Sequence, residues 1–84
     1  RGSQVVVEGM VEQVTEKKGH LFLQLTQGNS QIKAVLFKAD NNEIKGRKER
    51  IENAMTSRFP IRVVATVDIY QDELELIIDK VLVD

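Results

Sequence analysis

The sequence predicts an all-β domain with one short helix, its five strands closing into a small barrel. Three observations carry this. Five segments alternate apolar and polar residues with the period of a strand. One charged stretch between the third and fourth has helical spacing instead. The first segment is long and switches the parity of its apolar face part-way, as a strand bending between two neighbours does. At 84 residues the chain can bury one small core and not two.

The first strand is "VVVEGMVEQV", Val5 to Val14. Val5, Val7 and Val11 share a face with Gly9, and Val14 falls on the other, so a bulge or sharp bend is expected near Gly9 or Gln13. "TEKKG" is a turn signal. In the second strand, "HLFLQLT", Leu21, Leu23 and Leu25 face inward, and His20, Phe22, Gln24 and Thr26 face out. "QGNS" makes a hairpin with the third strand, "QIKAVLF". Here Ile32, Ala34 and Leu36 point inward and Gln31, Lys33, Val35 and Phe37 outward.

The spacing of Ile44, Ile51 and Met55 predicts an amphipathic helix over about 41–55, with Asp40 to Asn42 supplying an N-cap. Gly46 weakens it by about 1 kcal/mol relative to Ala. The basic run Lys45 to Arg50 is interleaved with Glu43, Glu49 and Glu52, as on a solvated helix face. Pro60 marks the exit. The fourth strand, "IRVVATVDIY", turns Ile61, Val63, Ala65, Val67 and Ile69 to one side. Gln71 and Asp72 form a two-residue turn, and the fifth strand, "ELELIIDKVLV", starts with Leu74, Leu76 and Ile78 inward.

A sheet of this order leaves two edges exposed unless it closes on itself. The helix, with its single apolar stripe, then plugs one end. "VVVEGMV" and "IRVVATV" both place a small residue between valines, which suits tightly curved strands. The architecture this implies is a closed or partly open five-stranded OB-fold Greek-key barrel, with the helix between strands three and four. Residues 1–4, opening on "RGS", read as a tag remnant or disordered leader. Residues 5–84 read as a single domain cut from a longer protein.

Composition excludes several functions. Without cysteine there is no disulfide or thiolate site. One histidine cannot build a zinc site, and no motif pairs it with a nucleophile such as Thr15 or Thr26. The carboxylates are scattered, and no Gly-rich phosphate cradle is present. The expectation is a binding module, not an enzyme, with no cofactor and no metal. No apolar run suits a membrane span or signal peptide, so a cytoplasmic setting is expected. The net charge of −1 argues against strong non-specific nucleic-acid binding, but not against a local basic patch.

"VEGMVEQVTEKKGHLFLQLTQGNSQIKAVLFK", a helix and "IRVVATVDIYQDELELIIDKV" together resemble the anticodon-binding type of OB domain. Such domains occur in class II aminoacyl-tRNA synthetases, bacterial replicative polymerases and exonuclease-associated proteins. The resemblance runs from Val5 to Val83. It departs at Leu25-Thr26-Gln27, where many members carry an acidic residue, and at "SRFP", where a Gly is usual.

The resemblance implies a single-stranded nucleic-acid ligand on the outer face of strands two and three and their flanking loops. Phe22 corresponds to the family's stacking ring and Lys33 to a base-reading position. His20, Gln24, Val35 and Phe37 share that surface. Lys17, Lys18, Arg62 and Tyr70 complete the candidate site, the lysines on the first flanking loop and Tyr70 at the second. Phe22 is either this platform or a ring packed under a loop or the helix. Asp68, Asp72, Glu73 and Glu75 bring negative charge nearby, so binding of DNA or RNA should be modest and salt-sensitive. The competing reading is a protein-interaction or structural OB domain without nucleic-acid contact.

Overall fold

The first strand, β1 (Gln4–Lys17), serves two neighbours in turn. In the computed structural model, which describes residues 3–37 and 43–82, Gln4–Gly9 pairs antiparallel with β4 (Ile61–Tyr70). Met10–Lys17 then pairs antiparallel with β2 (His20–Gln27). The exchange falls at Gly9. A Cβ there would sit 2.9 Å from the Thr26 carbonyl oxygen, so the β2 backbone reaches this distance only because the residue is glycine. Just beyond, the register shifts between Val11 and Gln13, leaving Glu12 as a bulge. The shift resets the parity: Val5, Val7 and Val11 pack on the core before it, Val14 after it.

Tight turns connect the other strands. β2 and β3 (Ser30–Leu36) form a hairpin with Gly28 at φ 60°, a left-handed conformation that glycine adopts without a Cβ penalty. Lys18 and Gly19 join β1 to β2 at φ 53° and 84°. Gln71 and Asp72 join β4 to β5 (Glu73–Leu82) at φ 52° and 65°. Two successive positive φ values are the type I′ pattern, whose twist matches that of the flanking strands. β3 pairs parallel with β5 only along Lys33–Val35 and Glu75–Ile77, and this short seam closes the barrel in the order β1-β2-β3-β5-β4.

The core comes from the inward faces: Leu21, Leu23 and Leu25 of β2, Ala34 and Leu36 of β3, Val63 and Ala65 of β4, Leu76, Ile78 and Val81 of β5. On β5 the run of inward residues jumps from Ile78 to Val81, because the register shifts opposite Val64 and Ala65. Asp79, the residue turned out by this bulge, accepts hydrogen bonds from Thr66 Oγ1 at 2.9 Å and Gln4 Nε2 at 3.3 Å.

The sequence places Ile69 and Leu74 on inward-facing positions, but they are 68% and 64% exposed. They pair with each other on a part of the β4–β5 hairpin that runs past the barrel rim, where no core lies beneath them. Parity gives a side of a strand; it does not give the strand's reach beyond the barrel.

α1 (Glu43–Ser57) lies between β3 and β4. Ile51 is wholly buried in the barrel core, and Ala54 and Met55 pack beside it, so the helix acts as the expected plug. The N-cap expected at Asp40 to Asn42 lies outside the described residues. At the other end the helix continues to Ser57 rather than stopping at 55, because a Schellman motif closes it. Phe59 N–H donates to the Ala54 carbonyl at 3.0 Å and Arg58 N–H to the Met55 carbonyl at 3.3 Å, with Arg58 at φ 62°. Lys48 Nζ forms an ion pair with Glu16, tying the helix to β1 rather than to its own neighbours alone. No helix among the described residues is long and apolar enough to cross a membrane.

The two glycines most informative about packing respond oppositely to the same change. Gly9→Ala drives a methyl into backbone and should lower stability by about 1–3 kcal/mol in urea unfolding. Gly46→Ala, on a helix surface with nothing within 4 Å, should raise it by about 1 kcal/mol. Equal effects of the two would refute the close approach at Gly9. Arg58→Gly relieves a side chain held in the left-handed region and should raise the unfolding midpoint, by about 0.5–1 kcal/mol in stability.

Candidate nucleic-acid interface

The bulge at Glu12 turns Gln13, Thr15 and Lys17 outward, next to the outward residues of β2 and β3. The registers then lay the outer face out in cross-strand rows. Lys17 lies opposite His20, whose ring meets Phe37 edge-on at 5.4 Å and 85°. Thr15 lies opposite Phe22, then Val35, then Ile77. Gln13 lies opposite Gln24, then Lys33, then Glu75.

Val35 is the exception on this face. It points outward, as the parity says, but is only 1% exposed and lies outside the main core cluster. The expectation that it contacts a ligand is therefore corrected. Flanked in register by Phe22 and Ile77, Val35 forms a floor beneath the surface. Phe22 itself is 39% exposed, so its side chain is part covered and part open.

Three shallow hollows follow one another across these rows. The first, about 280 Å³, lies among Thr15, Lys17 and Phe22. The second, about 170 Å³, involves Gln13, Thr15, Phe22, Gln24 and Lys33. The third, about 320 Å³, is bounded by Gln24, Gln31, Lys33, Glu73 and Leu74. Phe22 borders the first two, and Gln24 and Lys33 link the second to the third. Within this track Gln24 Nε2 donates to Gln31 Oε1 at 2.7 Å.

Lys33 does not present a bare charge. Its Nζ is 2.7 Å from Glu73 Oε2, and both side chains are well exposed. The hydrogen bond and the charge of Glu73, with Glu75 adding to them, hold the Lys33 ammonium above its ordinary pKa. The pair crosses the parallel seam between β3 and β5, where few backbone bonds hold the barrel shut. Lys17 and Lys18 stand at the β1–β2 turn, and Tyr70, 61% exposed, stands at the β4–β5 tip opposite Glu73.

Arg62 is not part of this assembly. It lies on β4 between Glu8 of β1 and Leu82 of β5, on another stretch of the barrel wall. Sequence reasoning left out Gln13 and Thr15, and also Gln31, which the parity of β3 already turns outward. The parity switch before Val14 is the signal that puts the first two on this face. Among the described residues no cluster of His, Asp and Glu could hold a metal ion.

A small closed barrel of this strand order, with its helix between β3 and β4, is an OB fold, a class of domain that binds oligonucleotides or oligosaccharides. Comparison with known proteins is specific on the family. Residues 5–84 match the OB-fold nucleic acid binding domain of the tRNA anticodon type, and the chain belongs to that family. The chain is 29% identical over 91 residues to the exodeoxyribonuclease 7 large subunit of Thermotoga petrophila, covering 93% of this chain and 23% of that protein. The large subunit from Thermotoga maritima is 28% identical over the same shares. The chain thus spans about a quarter of the length of these relatives.

Among solved structures, aspartyl-tRNA synthetase of Entamoeba histolytica superposes with a TM-score of 0.70 at 15% identity, covering 94% of this chain and 18% of that one. A replication protein A heterotrimer bound to ssDNA gives 0.66 at 14% identity, covering 96% of this chain and 58% of that one. At such identities the likeness is one of fold.

If Val35 is a floor, Val35→Ala should act on stability, lowering it by about 1–2 kcal/mol in thermal or urea unfolding. Phe22→Ala, at a partly open position, should cost less. The reverse order would mean that Phe22 is the packed residue and the face has no platform.

Proposed function

We infer that the outer face of β2 and β3 binds a short stretch of single-stranded DNA or RNA, as an accessory module of a larger protein. The observation that carries this reading is the track from Lys17 past Phe22 to Leu74, with one aromatic platform exposed in it. A base stacks on Phe22, whose ring is kept from collapsing inward by Val35. Phe37, held edge-on by His20, and Tyr70 offer further ring surface at the two ends. Gln13, Gln24 and Gln31 supply donors and acceptors for base edges, and Lys17, Lys18 and Lys33 accompany the phosphates.

The charge balance sets the strength. Glu73 occupies Lys33, and Glu75 lies beside it, so a phosphate arriving there must displace or face a carboxylate. Affinity is modest and falls with salt. In exonuclease-like relatives the domain occupies a fraction of the chain. By analogy it holds a strand for a catalytic part elsewhere. The exposed Phe59, Ile69 and Leu74 favour a second reading, a protein-interaction domain, at surfaces outside the Phe22 track or at its end.

Fluorescence anisotropy with labelled single-stranded DNA and RNA oligonucleotides at low salt tests the reading. Phe22→Ala should weaken binding by about 1–3 kcal/mol, the worth of one stacked base. Glu73→Gln, which releases Lys33 without adding a cation, should tighten it and steepen its salt dependence. Absence of binding up to about 100 μM protein, the weak end of non-specific association, would sink the proposal. So would an unchanged affinity in Phe22→Ala.

A further inference from the structure

A hollow of about 510 Å³ lies well away from the Phe22 track, where the end of α1 meets the start of β4 and the end of β5. Ala54, Phe59, Pro60, Ile61, Val81 and Leu82 make it mostly apolar, and Phe59 is two-thirds exposed there. A second hollow of about 340 Å³ shares Arg50 and Val81 with it and adds Lys80. The result is an apolar cleft with a cationic mouth. Among the described residues, Arg50 and Lys80 are both exposed and neither takes part in an ion pair.

The other end of the same hairpin carries the complementary chemistry. Past the barrel rim, Ile69, Tyr70 and Leu74 are each more than 60% exposed. They are set among Asp68, Asp72 and Glu75, with Glu73 already held by Lys33. β4 begins at Ile61 in the cleft and ends at Tyr70 at the tip. At strand rise this is about 30 Å. The molecule's longest extent is 31 Å. A tip cannot reach the cleft of its own chain.

We propose that the β4–β5 tip of one copy docks in the α1–β5 cleft of the next, so that the domain associates head to tail. Ile69 and Leu74 meet Phe59 and Leu82, while Asp72 and Glu75 face Arg50 and Lys80. The contact is heterologous: interior copies engage both tip and cleft, and the row stays open with one unused tip at one end and one unused cleft at the other. A tip in a cleft buries less than a stable dimer interface, so the contact forms at high local concentration. Copies lined up on one nucleic-acid strand would bind it cooperatively. That consequence rests on the preceding reading; the contact itself does not.

The test uses the protein without nucleic acid. Sedimentation velocity and ¹⁵N-correlation spectra are recorded from dilute solution to about 1 mM at low salt. The sedimentation coefficient should rise with concentration, and peaks of both Ile69–Leu74 and Phe59–Ile61 should shift together. About 0.5 M salt should reverse both effects. A cleft variant, Arg50→Glu with Lys80→Glu, and a tip variant, Asp72→Lys with Glu75→Lys, should each remain monomeric while keeping dispersed, folded spectra. Mixed in equal amounts they should associate again, because every tip then finds a cleft of opposite charge. The spectra also report whether a variant has failed to fold; a single Phe59→Ser exchange, expected to weaken association at least tenfold, then replaces it. Concentration-independent spectra up to about 1 mM would overturn the proposal. Shifts confined to the tip, the mark of a symmetric tip-to-tip contact, or variants that associate as before would do the same.

Discussion

The approach of Gly9 to the Thr26 carbonyl is the constraint on which the barrel depends. One strand must serve two partners, and it can do so only by bending sharply as it leaves one for the other. At that point the β2 backbone lies where a Cβ would be. With glycine there, Gln4–Gly9 holds β4 and Met10–Lys17 holds β2, and β1 becomes the hinge line of the whole sheet. The bulge at Glu12 follows from the same bend. It restores an inward side chain at Val14 and, on the opposite face, delivers Gln13, Thr15 and Lys17 to the surface of β2.

Closure has a weak point, and the candidate site is built over it. The β3–β5 seam is parallel and short, so side chains must help to hold it. Inside, Ala34 and Leu76 pair in the core; outside, Val35 lies against Ile77 and Lys33 reaches Glu73. The Lys33–Glu73 pair that crosses the seam mutes the cation which the proposed reading sets against a phosphate. On the proposed reading, this is why the charge of the face suits a nucleic acid only in part. An exposed ion pair contributes little to stability, so its main effect here is on the local potential.

The chain belongs to an OB-fold nucleic acid binding family and spans about a quarter of relatives such as the exodeoxyribonuclease 7 large subunit. The surfaces left over are at the two ends of the β4–β5 hairpin. One end is apolar and basic, the other apolar and acidic. A domain this small, with exposed apolar residues at both ends and a sheet face between them, has more than one place at which to meet another molecule.

By itself the sequence determined the elements, their order and the sides of the strands. Alternation in "HLFLQLT" and "QIKAVLF", the slip between Val11 and Val14 and the helical spacing through Ile51 follow from periods written in the chain, and periodicity is a local property. It also marked Phe22 as an outward ring and "SRFP" as a departure from the glycine usual before strand four; in the structure Arg58 of that stretch has φ 62°. Only the tertiary structure decided depth. Val35 has outward parity and is buried, because Phe22 and Ile77 flank it from neighbouring strands. Ile69 and Leu74 have inward parity and are exposed, because the hairpin outruns the barrel. Arg62 fell away from the site, and Glu73 met Lys33, through strand neighbours distant in sequence. A strand's pattern says which way a side chain points; what lies there is set by the strands that closure brings beside it.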